Sequence, residues 1–250
     1  MCGIAGFYKN SSLNKSEALD QLKLMNNTIN HRGPDDSGYW VDSKKGIALA
    51  HNRLSIMDLS VAGSQPMISS NGRFIITYNG EIYNSNSIKK ELNNSGHSIL
   101  WRGHSDTEVL VNAIEVWGLK KTLNSLIGMF AFVLFDKDKK ELCLVRDRIG
   151  EKPLYYSVIE NSIVFGSELK AISKFKKFHN EIDSKALNLF LRYGYVPCPL
   201  SIYKGTKKLK QGTFIRVKVD QDSRLILHEE VFWDLEDTIN KSKQNLFKGG

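Results

Sequence analysis

The chain opens Met1-Cys2-Gly3-Ile4-Ala5-Gly6-Phe7, and a cysteine in second place sets terms for everything after it. The residue after the initiator methionine is small, so removal of Met1 would leave Cys2 as the N-terminus. It would then carry a thiol and a free α-amine on one residue. A thiol with pKa about 8.5 is a strong nucleophile once deprotonated, and an α-amine with pKa about 7.7–8.0 is a base close to neutral pH. A terminal amine that activates its own side chain is a known way to make a nucleophile. Such a group needs rigid support, and Ile4 to Tyr8 read as a first strand that supplies it. Taken alone, the seven residues also fit an incidental small residue after methionine, so the remainder of the chain must decide.

With 250 residues, 41% hydrophobic and 25% charged, the chain can bury a sizeable core. No apolar run approaches the ~20 residues that span a bilayer, and no secretory leader pattern stands at the N-terminus. Three cysteines at 2, 143 and 198 do not form a disulfide framework, so a cytoplasmic location is expected. The formal charge of +8 raises the question of nucleic acid. The lysines are spread, with local clusters at 174–177 and 204–210, and no nucleic-acid motif accompanies them, which favours a solvated basic surface.

Leu19, Leu22, Met25 and Ile29 recur at helical spacing over 15–29. His31 to Gly38 is a turn-rich loop, and Ile47 to Ala50 a short strand leading into His51-Asn52-Arg53. Phe74 to Tyr78 read as a strand ended by a tight turn at Asn79-Gly80. A helix is expected over 85–93. Ser105-Asp106-Thr107-Glu108 reads as a capping box for the next one, which Gly118 ends. From Gly128 onward strands dominate. Hairpins join 129–135 with 141–145, 154–158 with 163–165, and 214–219 with 224–228, and helices are expected over 168–172 and 184–190. Grouped strands with helices at either end predict an α+β fold of antiparallel sheets between helical layers.

A thiol that hydrolyses an amide needs an oxyanion hole, a clamp for any substrate carboxylate and anchors for any ammonium. Asn79 and the Gly80 N–H could supply the first, Arg53 the second, and Glu81 and Asp106 the third. Each also has a plain structural reading: a turn, a surface ion pair, a first-turn acid favoured by the helix dipole. Cys143 in Leu142-Cys143-Leu144 reads as a buried strand thiol. Cys198 lies between two prolines with no base beside it, and the six histidines show no metal-ligand spacing.

Six motifs, in order, resemble one family. They are Cys2-Gly3-Ile4-Ala5-Gly6 with the His31–Gly38 loop, His51-Asn52-Arg53-Leu54-Ser55-Ile56-Met57-Asp58, Tyr78-Asn79-Gly80-Glu81-Ile82-Tyr83-Asn84, Ser105-Asp106-Thr107-Glu108, Arg146-Asp147-Arg148-Ile149-Gly150-Glu151-Lys152-Pro153-Leu154-Tyr155-Tyr156, and Phe165-Gly166-Ser167-Glu168-Leu169-Lys170-Ala171. Together they are similar to the N-terminal glutaminase domain of glutamine-hydrolysing asparagine synthetases, a class II glutamine amidotransferase. The resemblance implies an N-terminal-nucleophile hydrolase fold, a four-layer sandwich of two antiparallel sheets between helices. It implies Cys2 as nucleophile with its own α-amine as base, and Asn79 and Gly80 as the oxyanion hole. Arg53 would grip the carboxylate of L-glutamine, and Glu81 and Asp106 its α-ammonium. The implied reaction turns glutamine into glutamate and ammonia through a γ-glutamyl thioester.

Asparagine synthetases continue into an ATP-pyrophosphatase domain with a Ser-Gly-Gly-x-Asp-Ser loop, and that loop does not occur in these residues. A glutaminase domain is therefore expected over 1–182, with 183–250 the start of the synthetase region. No cofactor is expected in this chain, with ATP and magnesium belonging to the synthetase domain. A synthetase domain or partner chain would receive the ammonia, aspartate being the default acceptor and sugars or other carboxylates the alternatives. A homodimer is a further possibility, as is a non-catalytic or partner-gated remnant that regulates such a synthetase.

Overall fold

Period-two alternation along the strands decides the architecture. The computed structural model describes residues 1–55, 58–220, 222 and 224–244. In chain order its elements are β1 (Gly3–Lys9), α1 (Lys15–Asn27), β2 (Asp36–Asp42), β3 (Ile47–Arg53), β4 (Met67–Ile68), β5 (Phe74–Ile82), α2 (Ser85–Asn94), α3 (Asp106–Trp117), α4 (Leu119–Ser125), β6 (Gly128–Asp136), β7 (Glu141–Arg146), β8 (Tyr155–Ile159), β9 (Ser162–Gly166), α5 (Leu169–Ser173), α6 (Ser184–Tyr193), β10 (Thr206–Lys208), β11 (Thr213–Val219), β12 (Leu225–Val231) and α7 (Leu235–Gln244). Ile56 and Met57 of the Arg53 motif, Gln221 and Ser223 of the last hairpin turn, and residues 245–250 lie outside the described residues.

One six-stranded sheet has the order β10-β8-β9-β1-β3-β2 and the other β12-β11-β7-β6-β5-β4, with antiparallel pairing throughout. Ile4, Tyr8, Leu49, Ile163 and Phe165 of the first sheet meet Ile75, Val133, Phe135, Leu144 and Val217 of the second in one buried cluster. The alternate residues face outward. Ala5, Phe7, Ala48 and Val164 pack under α1 and α5, and Ile76, Phe132, Leu134 and Val145 pack against α2 and α3. The result is four layers, helix–sheet–sheet–helix, as expected. Each fully buried Phe or Leu in these clusters contributes about 1.5–3 kcal/mol of burial.

The same alternation aims the N-terminal end. Ile4 and Tyr8 face the space between the sheets, so Cys2, in phase with them, faces it too. Ile47 and Leu49 of β3 point the same way, which puts Arg53 on that face, and Ile75 does the same for Asn79. Gly3 pairs with Asn52, so Cys2 comes to lie alongside Arg53.

Three local expectations are corrected. β5 does not stop at Tyr78: it runs on to Ile82, with Asn79 opposite Ala131 and Gly80 opposite Phe130. Asn79-Gly80 is therefore not a turn. The glycine is needed for close approach, because a Cβ at 80 would fall 2.7 Å from Phe130 Cα and against the Met129 carbonyl. β3 likewise continues through His51, Asn52 and Arg53, all buried. The capping box is half made. Ser105 accepts from the Glu108 N–H at 3.3 Å, but the Glu108 carboxylate accepts from the amides of Arg102 and Gly103 instead of reaching back to Ser105. Gly118, at φ 81°, ends α3 as expected.

Residue 182 falls between α5 and α6. Beyond it β10 pairs with β8 at the edge of the first sheet, and β11 pairs with β7 in the second. No helix among the described residues is long and apolar enough to cross a membrane.

Candidate active site

The start of the chain around Cys2 is pinned at several points. Arg32 Nε donates to the Cys2 carbonyl at 3.1 Å, and its guanidinium is itself held by Glu168 at 2.8 Å. Ser167 accepts from the Ile4 N–H at 2.9 Å and donates its own N–H to the Ile4 carbonyl at 2.9 Å, which locks the start of β1. The Leu54 N–H lies 3.5 Å from Cys2 Sγ. Burial pushes the Cys2 thiol up. The Leu54 amide, the terminal amine and Arg53 oppose that shift, and Asp106 adds to it. The resting group is thus a thiol that needs a base.

A cleft of about 230 Å³ opens at this point between the two sheets. Cys2, Arg53, Asn79, Gly80, Glu81 and Asp106 all line it, together with Gln65, Tyr78, Met129 and Lys152. Arg53 is nearly buried, and its guanidinium donates to the carbonyls of Ser60, at 2.9 Å, and Asp58. Glu81 is half-buried and makes no ion pair among the described residues. Asp106 Oδ2 accepts from the Tyr78 hydroxyl at 2.7 Å and the Ile82 N–H at 2.9 Å. Burial raises its pKa, an effect those bonds oppose and Glu81 reinforces.

The edge of β5 shows what the cleft offers a ligand. Tyr78 turns both backbone groups away from β6: its N–H donates to Gln65 Oε1 at 2.7 Å, and its carbonyl accepts from His51 Nε2 at 2.9 Å. Directions repeat every second residue, so Gly80 and Ile82 turn the same way. The Ile82 amide is taken by Asp106. Between these two stands the Gly80 N–H, for which the described residues offer no hydrogen bond. Beside it Asn79 is 2% exposed, and its Nδ2 has no partner among the described residues. Buried donors are nearly always satisfied, so two neighbouring ones left open on a cleft mark a place for an incoming oxygen.

His51 supports this edge from beneath. It is fully buried, and because a carbonyl can only accept, Nε2 carries the proton and Nδ1 is left without a partner among the described residues. Burial pulls its pKa from 6.5 down to about 4. The unfolded imidazole takes up a proton near pH 6.5 and the folded one only near 4, so stability should fall as pH drops through that window. The loss should be on the order of 3 kcal/mol. Melting temperatures taken from pH 7 to 4 should show the decline, and His51→Gln should flatten it while keeping a donor for Tyr78.

A glutamine amidotransferase domain model matches residues 1–233. The chain belongs to that family. Among its relatives, asparagine synthetase [glutamine-hydrolyzing] 1 of Bacillus subtilis is 34% identical over 89% of this chain and 34% of its own length. Asparagine synthetase [glutamine-hydrolyzing] 2 of the same organism is 41% identical over 69% of this chain and 22% of its own. The chain spans less than half the length of the curated relatives it matches. A solved glutamine phosphoribosylpyrophosphate amidotransferase from B. subtilis, complexed with ADP and GMP, superposes with TM-score 0.64 at 20% identity. It covers 93% of this chain and 49% of that one, a likeness of fold. This is a glutamine amidotransferase domain of the kind found in asparagine-synthetase-like enzymes.

The sequence alone assigns no role to Arg32, Leu54, Gln65 or Ser167. Arg32, Leu54 and Ser167 lie inside the motifs quoted above. Gln65 carried no local signal, because its role is to cap an amide thirteen residues away.

Proposed function

We propose that this domain hydrolyses L-glutamine to glutamate and ammonia with Cys2 as the nucleophile. The observation that carries the reading is the conjunction, in one cleft, of the Cys2 thiol with the two open donors Asn79 Nδ2 and Gly80 N–H. With Met1 removed, the α-amine of Cys2 takes the thiol proton. Sγ then bonds to the side-chain carbonyl carbon of glutamine, and the resulting oxyanion lies against Asn79 and Gly80. The C–N bond breaks as the amine proton passes to the leaving nitrogen, so ammonia departs and a γ-glutamyl thioester remains. Water, deprotonated by the same amine, adds to the thioester, the C–S bond breaks, and the thiol is restored. Arg53 takes the substrate α-carboxylate, and Glu81 and Asp106 take its α-ammonium.

The ammonia would serve an ATP-dependent amidation, by default of aspartate to asparagine, in a synthetase domain of the same or a partner chain. ATP and magnesium belong there on this reading. Leu187, Phe190, Leu191, Tyr193 and Tyr195 of α6 and the loop after it are exposed, which supports a covering partner on that face.

The test is glutamate release from glutamine by two preparations of the unaltered sequence, one with Met1 removed and one made with methionine aminopeptidase inhibited so that Met1 stays, both verified by mass. Release by the first and loss in the second is expected. Equal release by both would remove the α-amine from the mechanism.

A further inference from the structure

Two cations line the cleft with Cys2. Arg53 ends β3, next to β1, and Lys152 lies in the loop between β7 and β8. Lys152 is 8% exposed and lines the cleft, and its Nζ makes no hydrogen bond or ion pair among the described residues. Its backbone is pinned: the N–H donates to Asp147 Oδ2 at 3.0 Å, and the carbonyl accepts from Arg146 Nε at 2.9 Å. Asp147 also accepts from the amides of Phe130, Ile149, Gly150 and Glu151. A loop tied down at so many points fixes where the lysine starts.

The stem of Lys152 is buried while its unpaired ammonium opens on the cleft, where it is available to an incoming anion. The charges that surround it show what it awaits. On the glutaminase reading, on which this inference rests, the substrate α-carboxylate meets Arg53 and its α-ammonium meets Glu81 and Asp106. Asp58, the remaining acid of the cleft, already accepts from the Ser60 N–H, the Ser60 hydroxyl and the His104 N–H. The neutral side-chain amide of glutamine leaves Lys152 still unpaired. Negative charge reaches that end of the ligand only as the reaction proceeds, and it becomes permanent in the γ-carboxylate of glutamate.

We infer that Lys152 is a specificity-determining residue whose ammonium pairs with the γ-carboxylate of the product, so that the cleft holds glutamate more tightly than glutamine. Accumulating glutamate then slows the domain by occupying its own site.

Calorimetric titration of glutamate and of glutamine into the 250-residue chain carrying Cys2→Ala, with Met1 removal verified, tests this. The parent should bind glutamate more tightly than glutamine, and the reverse order overturns the inference without any further variant. Lys152→Gln should weaken glutamate about tenfold or more and leave glutamine within about twofold, while Lys152→Arg keeps glutamate within about threefold. Equal weakening of both ligands would reduce Lys152 to a shaping role and overturn the inference, as would unchanged glutamate affinity. Absence of binding by either ligand to the parent would instead remove the glutaminase reading, and this inference with it.

Discussion

Cys2→Ala releases no measurable glutamate from glutamine, a fall of about a thousandfold or more, while its melting temperature stays within a degree or two of the parent. Both halves of that expected result come from the geometry. The thiol contributes little to the fold, since among the described residues its polar contacts are confined to the Leu54 backbone at 3.5 and 3.8 Å. No other thiol can stand in. Cys143 is buried in β7 with its pKa pushed up to about 12, and Cys198 turns toward the carbonyls of Lys208 and Leu209, away from the cleft. Glutamate release that survives the substitution would place the nucleophile elsewhere and end the thioester mechanism.

Asn79→Ala should lower kcat by about a hundredfold or more with KM changed only a few-fold, the pattern of a donor used in the transition state. Its effect on stability separates that role from a structural one. Asn79 Nδ2 has no partner among the described residues, so truncation breaks no hydrogen bond there and removes a buried unsatisfied group. The melting temperature should therefore hold or rise slightly. A residue kept for packing would behave the other way, with a lowered melting temperature and near-normal kcat. That outcome would take Asn79 out of the oxyanion hole.

Much of the fold was legible because burial imposes period two on strands and period 3.6 on helices. The hairpins 129–145 and 154–165 read directly, as did α1 and the Gly118 stop. What could not be read depended on partners distant in sequence. β2 begins Asp36-Ser37-Gly38, which locally resembles a turn, and becomes a strand only by pairing with β3. Asn79-Gly80 carries the local chemistry of a turn, yet tertiary contact with Phe130 keeps it extended. Glu108 follows the capping-box spacing but finds two better-placed amides at Arg102 and Gly103. The candidate site divides the same way. Its six residues were picked out by side-chain chemistry and motif, and they line one cleft. Arg32 and Gln65 act through contacts that only the folded chain creates.

The capped edge of β5 also bears on how the protein behaves at high concentration. A sheet margin with a row of free amides invites a strand from another molecule, the first step of edge-to-edge aggregation. Here Gln65 and Asp106 occupy the amides on either side of Gly80, which leaves a gap one residue long. A single opening can receive one oxygen atom, but it cannot template a ladder. Removing either cap, by Gln65→Ala or Asp106→Ala, would lengthen the exposed margin, and colloidal stability would suffer along with ligand binding.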